Sequence, residues 1–142
     1  MLFERERFEK KLPKPAGWLE HVYRYCEFVD MDIQGDPVDS VFVSCSIEHC
    51  SWYWGMFCCA LFVNVHFVGC TFRGTSFNSG KFVDCDFVDC VFTEDNLGRE
   101  CSFDDTSWYG CTQTRCPGLE GEFRSKATPA QRRVAKYGHG KG

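Results

Sequence analysis

Residues 82–92 run Phe82-Val83-Asp84-Cys85-Asp86-Phe87-Val88-Asp89-Cys90-Val91-Phe92, a phenylalanine at every fifth position with a cysteine two residues before the second and the third. Followed outward, the same phase holds without a slip: Phe42, Ile47, Trp52, Phe57, Phe62, Phe67, Phe72, Phe77, Phe82, Phe87, Phe92 and Leu97. Two residues before each stands a second series, Ser40, Cys45, Cys50, Gly55, Ala60, Val65, Cys70, Thr75, Gly80, Cys85, Cys90 and Asp95, small in nearly every case. A helix repeats about every 3.6 residues and a strand about every 2, so neither explains a period of five. Each five-residue unit therefore forms one side of a coil, turns the chain by about a quarter revolution and points both series inward. Four units close a coil, and residues one coil apart stack about 4.8 Å from each other, as neighbouring parallel strands do.

Four interior ladders follow. Phe42 stacks with Phe62 and Phe82, Ile47 with Phe67 and Phe87, Trp52 with Phe72 and Phe92, and Phe57 with Phe77 and Leu97. These twelve centres are the expected core. Cys50, Cys70 and Cys90 share one column of the small series, where sulfur acts as a compact apolar filler between aromatic layers.

The segments Phe67-Val68-Gly69-Cys70-Thr71-Phe72 and 82–92 resemble the F-x-x-C-x-F form of bacterial pentapeptide-repeat proteins, and the resemblance covers roughly residues 21–116. It implies an all-β fold, a right-handed quadrilateral parallel β-helix of about five coils. The handedness comes from the resemblance alone.

The phase also marks the boundaries. Tyr23, Phe28, Ile33 and Val38 form an earlier coil that reaches Phe42 one residue short, which predicts a distorted corner near Gly35-Asp36-Pro37. Past Leu97 the next centres are Phe103, Trp108 and Gln113, which predicts one inserted residue near Gly98-Arg99, and the pattern decays by Cys116-Pro117. Residues 1–20 predict an N-terminal helical cap over an otherwise open sheet edge: residues 2–11 are charged and helix-prone, with Leu2, Phe3, Phe8 and Leu12 available to dock, followed by Pro13, Pro15 and Trp18-Leu19. Residues 117–142 predict a basic tail in which Thr128-Pro129-Ala130-Gln131 opens a short helix through Val134 and Tyr137 to Gly138. Resemblance to the quinolone-resistance members makes this end a candidate dimer contact.

A chain of 142 residues with 44% apolar side chains makes one domain. Its charged start, Met1-Leu2-Phe3-Glu4-Arg5-Glu6-Arg7, is unlike an export signal, and no run approaches the roughly 18 apolar residues of a membrane span. These features predict a cytoplasmic location. The 11 cysteines are odd in number and expected as reduced thiols. Without a CxxC knuckle or a His pair at ligand spacing, no metal and no cofactor is expected. His49 and His66 project outward with no carboxylate partner fixed by the repeat, and no nucleophile, base and acid order or phosphate loop is present, so no enzyme activity is expected.

Charge supplies the functional clue. Residues 21–116 hold fourteen acidic and five basic side chains, a net of about −9, while the two ends together are positive. Asp84, Asp86, Asp89, Glu94, Glu100, Asp104 and Asp105 crowd the C-terminal half, and with the interior taken by Phe and Cys they must face water. Such an acidic face repels nucleic acid and attracts proteins that bind it. Several pentapeptide-repeat proteins look like duplex DNA and occupy the DNA-binding saddle of type II topoisomerases. The resemblance thus implies a gyrase-like partner, although this chain is shorter and shows no long projecting loop. A cognate toxin, with the chain as its immunity protein, and a structural or assembly role are the alternatives. Tyr53, Trp54 and Met56, beside Cys58-Cys59, form a second candidate contact, unless the N-terminal segment folds back over them.

Overall fold

A computed structural model describes residues 1–123. Sixteen three-residue strands wind into about five stacked parallel coils. The first side carries Leu2–Glu4, Val22–Arg24, Val41–Val43, Leu61–Val63, Lys81–Val83 and Ser107–Tyr109. On the second side lie Arg7–Glu9, Glu27–Val29, Ser46–Glu48, His66–Val68, Asp86–Val88 and Thr112–Thr114. The third holds Asp32–Gln34, Ser51–Tyr53, Thr71–Arg73 and Val91–Thr93. A fourth side is joined by the single bridges Pro37 to Met56, Met56 to Ser76 and Ser76 to Ser102.

The interior follows the ladders. Phe62 lies 4.7 Å from Phe42 and 4.9 Å from Phe82, with ring planes 3° and 2° apart. Phe67 stacks on Phe87 at 4.6 Å, Phe72 on Phe92 at 4.8 Å and Phe57 on Phe77 at 5.0 Å. Cysteines of the small series give their S–H groups to backbone carbonyls of the coil below, as Cys85 does to Phe62 and Cys90 to Phe67, both at 3.4 Å. Burial pushes the Cys45 thiol up to about 11 and raises Cys70 and Cys85 further, which keeps these three thiols protonated.

Most corners are made by the residue two after a centre, held in the left-handed region. Between the first and second sides these are Arg5, Tyr25, Ser44, Asn64, Asp84 and Gly110, with φ between 53° and 66°. For a residue with a Cβ this conformation costs roughly 1–2 kcal/mol. It is held in place by the backbone: the Ser44 and Asn64 N–H groups donate to Val63 and Val83 of the next coil, both at 2.8 Å.

The ends differ from the sequence expectations. No helical cap forms at the N-terminus. Leu2–Glu4 and Arg7–Glu9 are strands paired with Val22–Arg24 and Glu27–Val29, so the coil simply continues downward. The reason is phase: Phe3 and Phe8 stand five apart, in register with Tyr23 and Phe28, and stacking at 5.1 and 5.3 Å overrides the local helix propensity of their charged neighbours. The chain then crosses the edge of the core, half-buried at Leu12 and from Ala16 to Trp18, with the Trp18 ring packed against Phe28, Trp52 and Phe42 at 5.6, 6.0 and 6.3 Å. The Tyr23 hydroxyl donates to the Gly17 carbonyl and accepts from the Gly17 N–H, fixing this crossing.

At the far end residues 117–123 close the top. Leu119 and Phe123 are buried, and Phe123 packs 4.8 Å from Trp108. Gln113 occupies a centre, where its side-chain amide donates to the carbonyls of Leu119 and Phe123. Gly118 is required here, since at φ 91° an added Cβ would sit 1.9 Å from the Phe92 carbonyl oxygen. The helix expected over residues 128–138 lies outside the described residues.

Two register expectations are corrected. The short corner lies after Val38, at Asp39, because Pro37 already pairs with Met56 at the same nineteen-residue offset as Tyr23 with Phe42. More consequentially, Leu97 is no core centre: it is 76% exposed. Phe103 takes its place on the ladder, stacked 5.2 Å from Phe77. Asp95 to Glu100 are looped out, six residues where one was expected. A five-residue period records an insertion only modulo five, so six extra residues look like one.

Candidate partner-binding surface

The carboxylates do not share one face. Asp84 and Asp89 sit at the two corners that flank the second side, and Asp86 stands on that side between them. Glu94 and Glu100 bracket the inserted loop, Asp104 follows the centre Phe103 on the fourth side, and Asp105 forms the corner leading back to the first. The expected acidic face is therefore an acidic ring around the C-terminal half of the rod. The reason is geometric: successive repeats turn through four sides, so acids spread along the sequence spread round the perimeter.

Two of these acids are tied into vertical ladders. Asp86 lies 3.3 Å from His66 and accepts from the Thr112 hydroxyl. His66 thus does have a carboxylate partner, because both residues precede a centre and stand one coil apart. Asp89 pairs with Arg115 at 2.5 Å, and that guanidinium hydrogen bond holds its carboxyl below the usual range. Lower on the same side Arg7 pairs with Glu27 at 2.7 Å.

Tyr53, Trp54 and Met56 come together at the corner of the third and fourth sides, and it is the inserted loop, not the N-terminal segment, that folds against them. Asp95 is the fulcrum. Its Oδ1 accepts the N–H groups of Leu97 at 2.8 Å and Arg99 at 2.9 Å, and its Oδ2 accepts the Trp54 indole N–H at 2.6 Å. Burial pushes this carboxyl up, but the donors at Arg99, Trp54 and Leu97 outweigh it and hold the group below the usual carboxylate range. The Tyr53 hydroxyl accepts from the Asn96 N–H at 3.0 Å, and Arg73 lies over the Tyr53 ring while donating to the Asn96 side chain at 3.1 Å. Trp54 and Met56 remain 44% exposed, with Leu97 held outward above them.

One surface escaped the sequence reading. The outer face of the first side carries Val22, Val41, Val43, Leu61, Val63 and Val83 in register, from half-buried to exposed, with Tyr109 above at 58% exposure. The signal was present in Val41-Phe42-Val43 and Leu61-Phe62-Val63, where the centre is flanked on both sides by apolar residues; the second side has Ser46-Ile47-Glu48 and Asp86-Phe87-Val88 instead. The first side is thus apolar over its middle, from Val41 to Val63, with Arg24 below and Lys81 above, and it adjoins a charged second side. No helix among the described residues is long and apolar enough to cross a membrane.

Five residues per side, four sides per coil and inward Phe and Cys ladders decide the architecture. The chain has the pentapeptide-repeat β-solenoid fold. No protein-family model and no curated protein matches the sequence. Among solved structures, this solenoid is similar to a trypsin-treated variant of QnrB1, a plasmid-mediated fluoroquinolone resistance protein, at 13% identity and a TM-score of 0.42. That alignment covers 81% of this chain and 66% of the other, just under two thirds of its length. A second trypsin-treated QnrB1 variant aligns at 10% identity and a TM-score of 0.39, over 95% of this chain and 87% of that one. Rfr23, a pentapeptide repeat protein from the cyanobacterium Cyanothece 51142, aligns at 10% identity and a TM-score of 0.36, over 82% and 83% of the two chains.

Proposed function

We propose that this solenoid is a non-catalytic protein-binding rod that inhibits or protects its partner, and that the partner is a gyrase-like enzyme with a basic groove built for nucleic acid. The acidic ring carries this reading. Six of the 16 Lys and Arg lie beyond residue 123 and none of the 20 Asp and Glu does, so residues 1–123 bear a formal net charge of −10. A rod that is negative on several sides offers charge to a groove from whichever direction it docks, as a duplex does, and the same charge keeps it off nucleic acid. The inserted loop adds an exposed apolar tip, Leu97, between Glu94 and Glu100.

A cognate toxin is the second reading, favoured by the apolar first side, which supplies the dry centre that a tight protein interface needs. A DNA supercoiling assay separates the two. The purified rod is expected to inhibit gyrase at micromolar concentration, and the combined Asp84→Lys, Asp89→Lys and Asp105→Lys variant is expected to lose that inhibition at least tenfold. No inhibition by the unmodified protein removes gyrase as the partner. Equal inhibition by the triple variant removes the carboxylates as its basis.

A further inference from the structure

Nine of the 11 cysteines have a structural reason for their place. Cys26, Cys45, Cys50, Cys70, Cys85, Cys90, Cys101 and Cys111 stand two residues before a centre, Cys116 follows them at the next small position, and all nine point inward and donate to a carbonyl of the coil below. Cys58 and Cys59 do neither. They follow the centre Phe57 on the fourth side, and both are exposed. The turn Phe57-Cys58-Cys59-Ala60 is closed by the Ala60 N–H on the Phe57 carbonyl, with Cys59 left-handed at φ 66°, and the two Sγ atoms stand 3.8 Å apart. One coil up the same positions are Asn78 and Ser79, so the repeat itself does not call for thiols here.

The spacing selects what the pair can hold. A direct disulfide is disfavoured, because adjacent Cα atoms lie about 3.8 Å apart across a trans peptide, below the roughly 4.4–6.8 Å that unstrained disulfides span. A bridging metal fits better. Two thiolates on a tetrahedral divalent ion with metal–sulfur bonds of about 2.3 Å have their sulfurs roughly 3.8 Å apart. This chain supplies only half of such a centre: no group of three His, Cys, Asp or Glu side chains able to hold a metal occurs among the described residues.

We propose that Cys58 and Cys59 are a half-site for Zn(II), completed by the same two thiolates of a second copy across a two-fold axis. The closed four-sulfur centre then joins two rods side by side, and a two-fold contact of this kind is the commonest form of homodimer. The surface around the pair permits the approach. In a strongly acidic rod the middle of the fourth side is uncharged, presenting Met56, Ser76, Asn78 and Ser79 between Asp39 below and Asp104 above. Met56, 44% exposed, gives the contact an apolar element. On binding, four S–H bonds are exchanged for four zinc–sulfur bonds and four protons leave to solvent, so affinity falls as pH falls. The proposal is independent of the acidic ring and of any gyrase-like partner.

The test uses the full-length reduced protein and Co(II) alone as an optical probe, followed by Zn(II). A thiolate-to-cobalt charge-transfer band is expected to saturate at one metal per two chains, with a doubling of sedimenting mass that a chelator reverses. Cys58→Ser and Cys59→Ser, both at exposed positions, are each expected to retain the wild-type circular dichroism and to weaken metal binding and dimerisation at least tenfold. Absence of the band at micromolar metal overturns the proposal. So does saturation at one metal per chain without a change in mass, or a band and a dimer that survive both substitutions.

Discussion

The coils between Phe42 and Phe92 and the segment from Asp95 to Phe123 belong to one interior but are held by different physics. In the first region every centre is aromatic or aliphatic, every coil takes twenty residues, and the rings of successive coils are nearly parallel at 4.6–5.2 Å. In the second the pattern is broken by the six-residue loop, a centre is taken by Gln113, and closure relies on polar side chains: Asp95 under the loop, Gln113 under the final crossing and Glu122 accepting from the Trp108 indole at 3.1 Å. The contrast teaches that periodic burial builds the rod, whereas stopping and interrupting it requires specific hydrogen bonds to backbone groups that the ladder no longer satisfies.

The strongest test of that contrast is Phe62→Ala, in the middle of the regular region. Phe62 is fully buried between two stacked rings. Its truncation is expected to cost about 3–5 kcal/mol, because neighbours fixed by the backbone ladder cannot collapse into the cavity. Denaturant unfolding measures it, and a loss below about 1 kcal/mol breaks the picture of a rigidly packed interior. Phe103→Ala, in the interrupted region, is expected to cost less, about 2 kcal/mol, since Phe103 is only half-buried although it stacks on Phe77. Costs of equal size at the two positions would show that the loop leaves the ladder above it unweakened.

The loop itself responds to pH through Asp95. Its carboxyl is held below the usual range in the folded protein, and an unfolded aspartate titrates near about 3.9. The contribution is therefore complete above that value and is lost as pH falls through the lower, folded one. The protection of the Leu97 and Arg99 amides, their exchange relative to an unstructured amide at the same pH, is expected to be high at neutral pH and to be lost in acid well before the regular coils open. Asp95→Ala, which removes the acceptor of both N–H groups, is expected to show fast exchange at both amides already at neutral pH, with Phe62 and its neighbours unaffected. Slow exchange in that variant would mean that the loop is held by something other than this carboxylate.

How much of this was legible follows from the same comparison. Periodicity reports whatever repeats, so Phe42 to Phe92 and the side each occupies could be read directly from spacing. The N-terminal strands were in phase too, at Phe3 and Phe8, but local helix propensity and charge masked two repeats standing alone before the proline-rich crossing. The acidic positions were legible one by one, yet their arrangement as a ring required the four-sided winding to be followed residue by residue. The Trp54 to Asp95 contact was not legible: the two stand 41 residues apart, and nothing in a period of five announces a hydrogen bond across two coils.

Leu97→Ala should have the smallest effect and is the most direct test of the register. Spacing alone puts Leu97 at the twelfth centre, where truncation of a buried leucine would cost about 2–5 kcal/mol. The folded chain puts it at the tip of the loop, 76% exposed, where a surface truncation shifts stability by no more than about 0.5 kcal/mol. The two placements differ severalfold in a single unfolding measurement. A loss above about 2 kcal/mol would return Leu97 to the interior, reduce the insertion to one residue and displace Phe103 from the ladder above Phe77. A loss near zero, beside a clear loss for Phe103→Ala, fixes the six-residue loop and leaves Leu97 free to be read for what it contacts outside the rod.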